Sequence, residues 1–391
     1  MPDKLKKGWK LWRFDQIATM VNERVDKPED AGVEYYVGLE HLDPESLTIR
    51  RWGSPSDVAA TKLLFRKGDI IFGRRRVYQR KLAVAHFDGI CSAHAMVLRA
   101  KPDIALPDFL PFFMQSDLFM ERAKKISVGS LSPTINWKTL AQEAFALPPL
   151  DEQRRIAEVF FEAHNMCVAC YDLLSSVLCV HRSYLKKMYD SMEGIDKDIL
   201  GNLLVSIIPG RSLAGRNVHP SKNEYGVLKV SAVDPLGFKP HESKVLINQS
   251  EFCEKFKIIS GDLIMTRANT PELVGEVCLV DCDHNNLMLC DKTLKLETKS
   301  GVDSYILWES LQSDFVRQQI LGVATGTGRA MKNMSQQKIS NLIVAYPKSK
   351  EVRESIKSNF LNNRKAIKIA KKRLENCKKL LNSYIGLLMK I

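Results

Sequence analysis

Leu147-Pro148-Pro149-Leu150-Asp151-Glu152-Gln153-Arg154-Arg155-Ile156-Ala157-Glu158-Val159-Phe160 marks a change of secondary structure near the middle of the chain. Proline keeps its predecessor out of the helical region and withholds a backbone donor, so the two prolines end an extended segment. Asp151 is then a natural helix cap, and the acids beside it suit the positive end of the helix dipole. Apolar residues follow at spacings of three and four: Ile156, Val159, Ala163, Met166, Cys170, Leu173, Val177, Val180 and Tyr184. This pattern predicts a coiled-coil seam roughly 30 residues long, and its place between two large segments predicts a connector.

About 200 residues later the layout returns. Tyr346-Pro347 precedes Ser349, a candidate cap. A second seam runs through Ile356, Phe360, Asn363, Ile367, Ala370, Leu374, Cys377, Leu381, Tyr384 and Leu388. Ser183-Tyr184 and Ser383-Tyr384 lie near the two helix ends, 200 residues apart. A lone apolar stripe needs a partner, and each seam is the obvious partner for the other. Asn363 inside the second seam is the kind of residue that fixes register at some cost in stability.

The segments before the helices also correspond. Lys67-Gly68-Asp69-Ile70-Ile71-Phe72 is answered by Ser260-Gly261-Asp262-Leu263-Ile264-Met265, 193 residues on. Ser116-Asp117-Leu118 is answered by Ser313-Asp314-Phe315, and the loop Gly129–Asn136 by Thr325–Asn333. The order globular unit, long helix, globular unit, long helix therefore reads as one plan written twice. The expected boundaries are 1–150, 151–193, 194–346 and 347–391. The expected class is α+β: two similar mixed α/β domains separated by two long helices pairing as an antiparallel coiled coil. Each helix, at about 38 residues, would span roughly 57 Å.

With 391 residues the chain exceeds one compact core, and 45% apolar with 26% charged residues is a globular balance. No run of 18 apolar residues appears, and the N-terminus lacks the apolar core of a signal peptide, so a cytoplasmic location is expected. Nine cysteines are then expected reduced. Cys278, Cys282, His284 and Cys290 have zinc-ligand chemistry, but no C-x-x-C pair, and Cys278 and Cys290 sit in apolar runs; no metal site is assigned.

The net charge of +13 suits a nucleic-acid partner. Arg74, Arg75, Arg76, Tyr78, Gln79, Arg80 and Lys81 follow a buried strand, and a turn has no need of so many cations. Arginine reads guanine and phosphate bidentately, and glutamine can read adenine. In the second half the corresponding loop holds Arg267, Asn269 and Thr270. The hydroxyl-rich loops add Ser130, Thr134 and Lys138 in the first half, and Thr327, Arg329 and Lys332 in the second. These sixteen residues are the candidate DNA contacts, and the unlike content of matching loops predicts two different targets. Gly326-Thr327-Gly328 is not a phosphate-binding P-loop. Catalytic signals are poor: Glu242-Ser243-Lys244 and Glu297-Thr298-Lys299, with Asp234 or Asp291, only imitate a metal-nuclease motif. His94 reads as a packed histidine and His181 as a helix-end cation.

The stretch from Leu147 to Ile156 closely resembles the motif opening the central helix in specificity subunits of type I restriction–modification systems. Gly68-Asp69-Ile70-Ile71 and the doubled layout resemble that family too. The second copy departs from it: Tyr346-Pro347-Lys348-Ser349 lacks the double proline, and no Glu-Gln pair follows. The resemblance implies two target-recognition domains, each reading half of a split, asymmetric DNA site. It implies helices that set the spacer and dock two methyltransferase subunits through Glu152, Gln153, Arg154 and Arg155. It further implies a non-catalytic chain without a cofactor of its own. S-adenosylmethionine, ATP and Mg²⁺ would belong to the methyltransferase and motor-nuclease partners. The rivals are a stand-alone restriction endonuclease or DNA methyltransferase, and a scaffold that does not bind DNA.

Overall fold

Strand Ala144–Leu147 runs antiparallel to Lys10–Arg13, with Trp12 opposite Phe145, so the segment before the double proline is tied to the start of the chain. The computed structural model describes residues 5–191, 195–326 and 331–388. The central helix covers Leu150–Ser191. The Gln153 backbone N–H donates to the Pro149 carbonyl at 2.9 Å, which moves the helix start before Asp151; that residue lies in the first turn instead of capping it. The last helix covers Lys350–Leu388, and Ser349 does cap it, its Oγ accepting from Val352 N at 3.3 Å.

Two compact units divide the chain: residues 1–170 with 373–391, and residues 171–372. In the first, a four-stranded antiparallel sheet has the order Ala18–Val21, Ala95–Ala100, Ile70–Gly73, Leu82–Val84. A second sheet has the order Arg24–Val25, Lys62–Phe65, Gly89–Ser92, Tyr35–Val37, the last pair parallel. The second unit builds its main sheet in a matching order: Leu204–Pro209, Thr293–Thr298, Leu263–Thr266, Val277–Leu279. Its other sheet keeps one parallel pair, Gly226–Leu228 with His284–Met288, and gains Gly215–Arg216 and Ser243–Leu246.

The duplication extends to single hydrogen bonds. Gly68 N donates to Ala85 O and Gly261 N to Val280 O, each at 2.9 Å and with the glycine at positive φ, where a side chain would strain the turn. Arg66 N donates to Asp69 Oδ2 at 2.8 Å and Ile259 N to Asp262 Oδ2 at 2.9 Å. Ser116 and Ser313 both cap helices, accepting from Phe119 N and Val316 N.

In the first unit Phe14, Phe72, Phe113, Phe119 and Phe145 centre the core. Phe160 and Cys167 of the central helix join it, as do Leu381 and Ile385 of the last. In the second, Leu185 and Met188 pack with Ile356 and Phe360. The last helix follows its expected seam from Ile356 to Leu381, but Ile385 is buried in place of Tyr384, and the side chain of Leu388 lies outside the described residues. The central helix departs more. Ile156, Ala163, Cys170, Val177 and Tyr184 face inward or lie at the seam edge, yet Val159, Met166, Leu173 and Val180 are 49, 52, 41 and 60% exposed. The intervening seam positions are instead Phe160, Cys167 and His181. The sequence carries two adjacent apolar rows, and within each unit only one meets a partner. By length and composition alone, Leu150–Met188, whose most apolar 18-residue window has a mean hydropathy of 1.3, could cross a membrane.

His164, also in the first unit, places Nε2 3.0 Å from Thr48 Oγ1. Burial, and then the Arg50 cation, push its pKa down to about 4. The unfolded histidine takes a proton below about 6.5 while the folded one does not, so stability present at neutral pH is lost as pH falls from about 6.5 to about 4. The expected loss at pH 5 is about 2 kcal/mol, an upper figure given partial solvent screening. Denaturant titrations at pH 7.5 and 5 should show it, with a smaller loss in His164→Gln; equal losses would disprove it.

Candidate nucleic-acid interface

Strand Ile70–Gly73 ends in a loop whose backbone is unusual: Arg76 and Arg80 have φ of 57° and 51°, flanking the short turn Val77–Gln79. Few non-glycine residues take this conformation, and it persists only where neighbours hold it. The neighbour is the hydroxyl-rich loop. Arg75 pairs with Thr134, Arg76 N donates to Pro133 O at 2.7 Å, and Ile135 N donates to Arg74 O at 3.0 Å. Arg76 Nε also donates to Ser132 Oγ at 3.2 Å. Two loops more than 50 residues apart in sequence thus form one surface.

The second unit makes the same join. Ala268–Asn269 pairs with Lys332–Asn333, and Met334 N donates to Arg267 O at 2.9 Å, the counterpart of Ile135 to Arg74. Asn269 Oδ1 accepts from Thr270 N at 2.9 Å, and Lys332 Nζ donates to Gly326 O at 3.0 Å. Arg317 holds the base of this loop by donating to the carbonyls of Val274 and Pro271. Thr327 and Arg329 lie outside the described residues.

The candidates divide by what their side chains already do. Arg76, Tyr78, Ser130 and Lys138 are exposed; Arg74, Arg75, Gln79, Thr134, Arg267, Asn269, Thr270 and Lys332 are half-buried. Arg80 is a structural residue: it donates to Asp117 Oδ1 at 2.6 Å and to the Gln115 carbonyl, and lies 3.4 Å from Glu45. Lys81 Nζ is likewise engaged with Leu39 O at 2.6 Å. A charge run cannot reveal that two of its members turn back into the fold.

Gln153 has the same fate. Its side chain is 1% exposed; Oε1 accepts from Leu106 N at 2.9 Å, while Nε2 donates to Ile104 O at 2.8 Å and Pro148 O at 2.9 Å. It ties the helix start to the domain instead of presenting a docking group. Arg154 and Arg155 are exposed and Glu152 is half-buried.

His94 is not packed. It is exposed, with Nε2 3.5 Å from Arg75 Nη1, and partial burial together with Arg75, Arg74 and Lys62 lowers its pKa. The same cations make this surface attractive to phosphate. His181 is no helix-end cation, being buried 3.1 Å from Glu309 Oε2. The nuclease-like triplets bring no metal cluster together among the described residues: Glu242 and Glu297 accept from Ser231 and Ser206, each at 2.7 Å. Cys278 and Cys290 are buried, while Cys282 and His284 meet at the surface.

Two units of one plan, each joining a basic or amide-bearing loop to a hydroxyl-rich one, form a doubled scaffold. Residues 57–169 match the family model for the type I restriction modification DNA specificity domain, a range that contains both loops of the first unit. Over 190 residues the chain is 29% identical to the EcoDI specificity subunit of Escherichia coli, covering 46% of this chain and 41% of that protein. It is 21% identical to the EcoKI specificity subunit of E. coli K12 over 389 residues, 90% of this chain and 82% of that one. A 27% match to the E. coli EcoEI specificity subunit takes in 38% of this chain and a quarter (25%) of that protein. The chain thus covers well under two thirds of the EcoDI and EcoEI subunits. The solved type I restriction–modification S subunit from M. genitalium shares the fold, with a TM-score of 0.55 at 13% identity over 100% of this chain and 98% of that one. These relatives are specificity subunits of type I restriction–modification systems, and the chain is similar to them over the stretches given.

Proposed function

We propose that this chain reads a bipartite, asymmetric DNA sequence for a type I restriction–modification complex and performs no chemistry itself. Residues 1–150 and 194–346 are the two target-recognition domains, each addressing one half-site through its joined loops. The observation that carries this reading is the repeated bond from Ile135 N to Arg74 O and from Met334 N to Arg267 O, which builds the same platform twice. The loops differ in content, and unlike side chains in the major groove select unlike bases.

The helices 151–193 and 347–391 pair as an antiparallel coiled coil. Packing of each helix start beside the other helix's end, seen separately in each unit, supports this. Two methyltransferase subunits dock on this rod, using the exposed Val159, Met166, Leu173 and Val180 row and the nearby Glu152, Arg154 and Arg155. S-adenosylmethionine, ATP and Mg²⁺ are bound by the methyltransferase and restriction partners, and the complex works in the cytoplasm without a membrane.

Arg75→Ala and Arg267→Ala test the two-reader model. Each should weaken binding by about 1–3 kcal/mol at one half-site and relax its sequence preference, leaving the other half unchanged. The readout is binding of the methyltransferase-loaded complex to a library randomised in one half-site at a time. Both variants degrading the same half would overturn the assignment.

A further inference from the structure

The turn between strands Val277–Leu279 and His284–Met288 reads Asp281-Cys282-Asp283-His284, and it gathers three kinds of metal donor. Cys282 Sγ lies 3.4 Å from His284 Nε2. A carboxylate oxygen of Asp281 completes a set whose members all lie within 4.8 Å of one another. A tetrahedral zinc ion, with Zn–S of about 2.3 Å and Zn–N of about 2.0–2.1 Å, imposes a sulfur–nitrogen edge of roughly 3.6 Å. The two side chains already sit near that separation.

The turn is held from below. Ser260 N donates to Asp283 Oδ1 at 2.8 Å, Ser260 Oγ donates to the Asp281 carbonyl at 3.3 Å, and the His284 ring lies 5.1 Å from that of Phe238. The first unit shows what this pinning requires by itself. There Lys67 N donates to Asp88 Oδ1 at 2.8 Å, the counterpart of Ser260 to Asp283. Yet Asp88 is flanked by Phe87 and Gly89, where the second unit has Cys282 and His284. The turn therefore forms without a thiol or an imidazole, and the fold does not account for their presence here.

We propose that Asp281, Cys282 and His284 bind one divalent transition-metal ion of the zinc type, with the fourth position open to water. Thiolate and imidazole select such an ion over Mg²⁺ or Ca²⁺, which prefer oxygen ligands. Cys282 and Asp281 are exposed and His284 half-buried, so the ion has a direct entry path. Binding forms a metal–sulfur bond and releases the thiol proton to solvent.

The test is titration of the reduced, chelator-stripped full chain with Co²⁺, followed by competition with Zn²⁺. One equivalent should produce sulfur-to-cobalt charge-transfer bands and strong tetrahedral d–d absorption, and Zn²⁺ should erase both. Cys282→Ser should abolish the charge-transfer bands. His284→Gln and Asp281→Asn should each weaken binding by at least roughly a hundredfold, and Cys179→Ser should change nothing. Thermal melts of the same variants distinguish ligand loss from misfolding, because this exposed turn keeps its Asp283 anchor. Unchanged bands in Cys282→Ser, or weak octahedral absorption in the parent chain, would overturn the proposal.

Discussion

Arg364→Ala is expected to cost about 3–5 kcal/mol of stability, because it strands a fully buried carboxylate. Glu309 receives Arg364 in a fork, Nε to Oε1 at 2.7 Å and Nη2 to Oε2 at 2.8 Å, with His181 Nε2 3.1 Å from Oε2. The same guanidinium donates to Pro235 O at 2.7 Å and Gln312 Oε1 at 3.0 Å, and lies 4.0 Å from the Trp308 ring centre. Last helix, central helix and second-unit core thus meet at one acid. Burial alone would raise the Glu309 pKa, but the bonds from Arg364, with the His181 ring close by, outweigh it and hold the carboxyl below the usual range. A folded pKa below the unfolded one means the network stabilises fully above the unfolded value of about 4.3, and fails as pH falls through the lower folded value.

Replacing both partners should hurt less than replacing one. Glu309→Leu with Arg364→Met removes the charges together, and the pair is expected to recover most of the single-variant loss. Denaturant melts of the two single variants and the double variant give the coupling energy. A loss under about 1 kcal/mol for Arg364→Ala would mean the carboxylate is not buried as described.

Mild oxidation of the reduced chain is expected to link Cys170 to Cys377, sealing the first unit's helix contact with a covalent bond. Their sulfurs lie 3.5 Å apart across 207 residues of sequence. A disulfide needs about 2.0 Å, so the sulfurs must close by roughly 1.5 Å. With diamide as oxidant, two thiols become one disulfide while two electrons and two protons pass to the reagent. Burial, followed by the contact with Cys170, pushes the Cys377 thiol up to about 11, so linking should quicken as pH rises above neutral. Closing a loop of this length corresponds to about 5 kcal/mol in the chain-entropy model, an upper figure for the stabilisation. Peptide mapping should find the 170–377 link, and Cys170→Ser or Cys377→Ser should abolish it. A link to Cys179, or only intermolecular products, would contradict the antiparallel contact.

The doubled plan was legible because its landmarks are local: glycines that need positive φ, serines that cap, prolines that end strands. Gly68 and Gly261, Ser116 and Ser313, and Pro347 before the last helix each do what their chemistry demands. The two long helices were legible for the same reason, their periodicity being a property of neighbouring residues.

The side on which each helix packs, and the use each polar group finds, depend on residues far along the chain. Val159 and Phe160 are both apolar and adjacent, and only the position of the neighbouring structure buries Phe160 and exposes Val159. Arg80 and Gln153 sit among candidate contacts, yet Asp117, Leu106 and Ile104 claim their donors and acceptors first. A buried polar group must be satisfied, and what satisfies it is chosen by the fold as a whole. The order of elements, the helix lengths and the basic loops therefore belong to the sequence. The joining of Arg75 to Thr134, the pairing of His181 with Glu309 and the meeting of Cys282 with His284 belong to the tertiary structure, which alone brings the loops and the helices to their partners and folds the turn on itself.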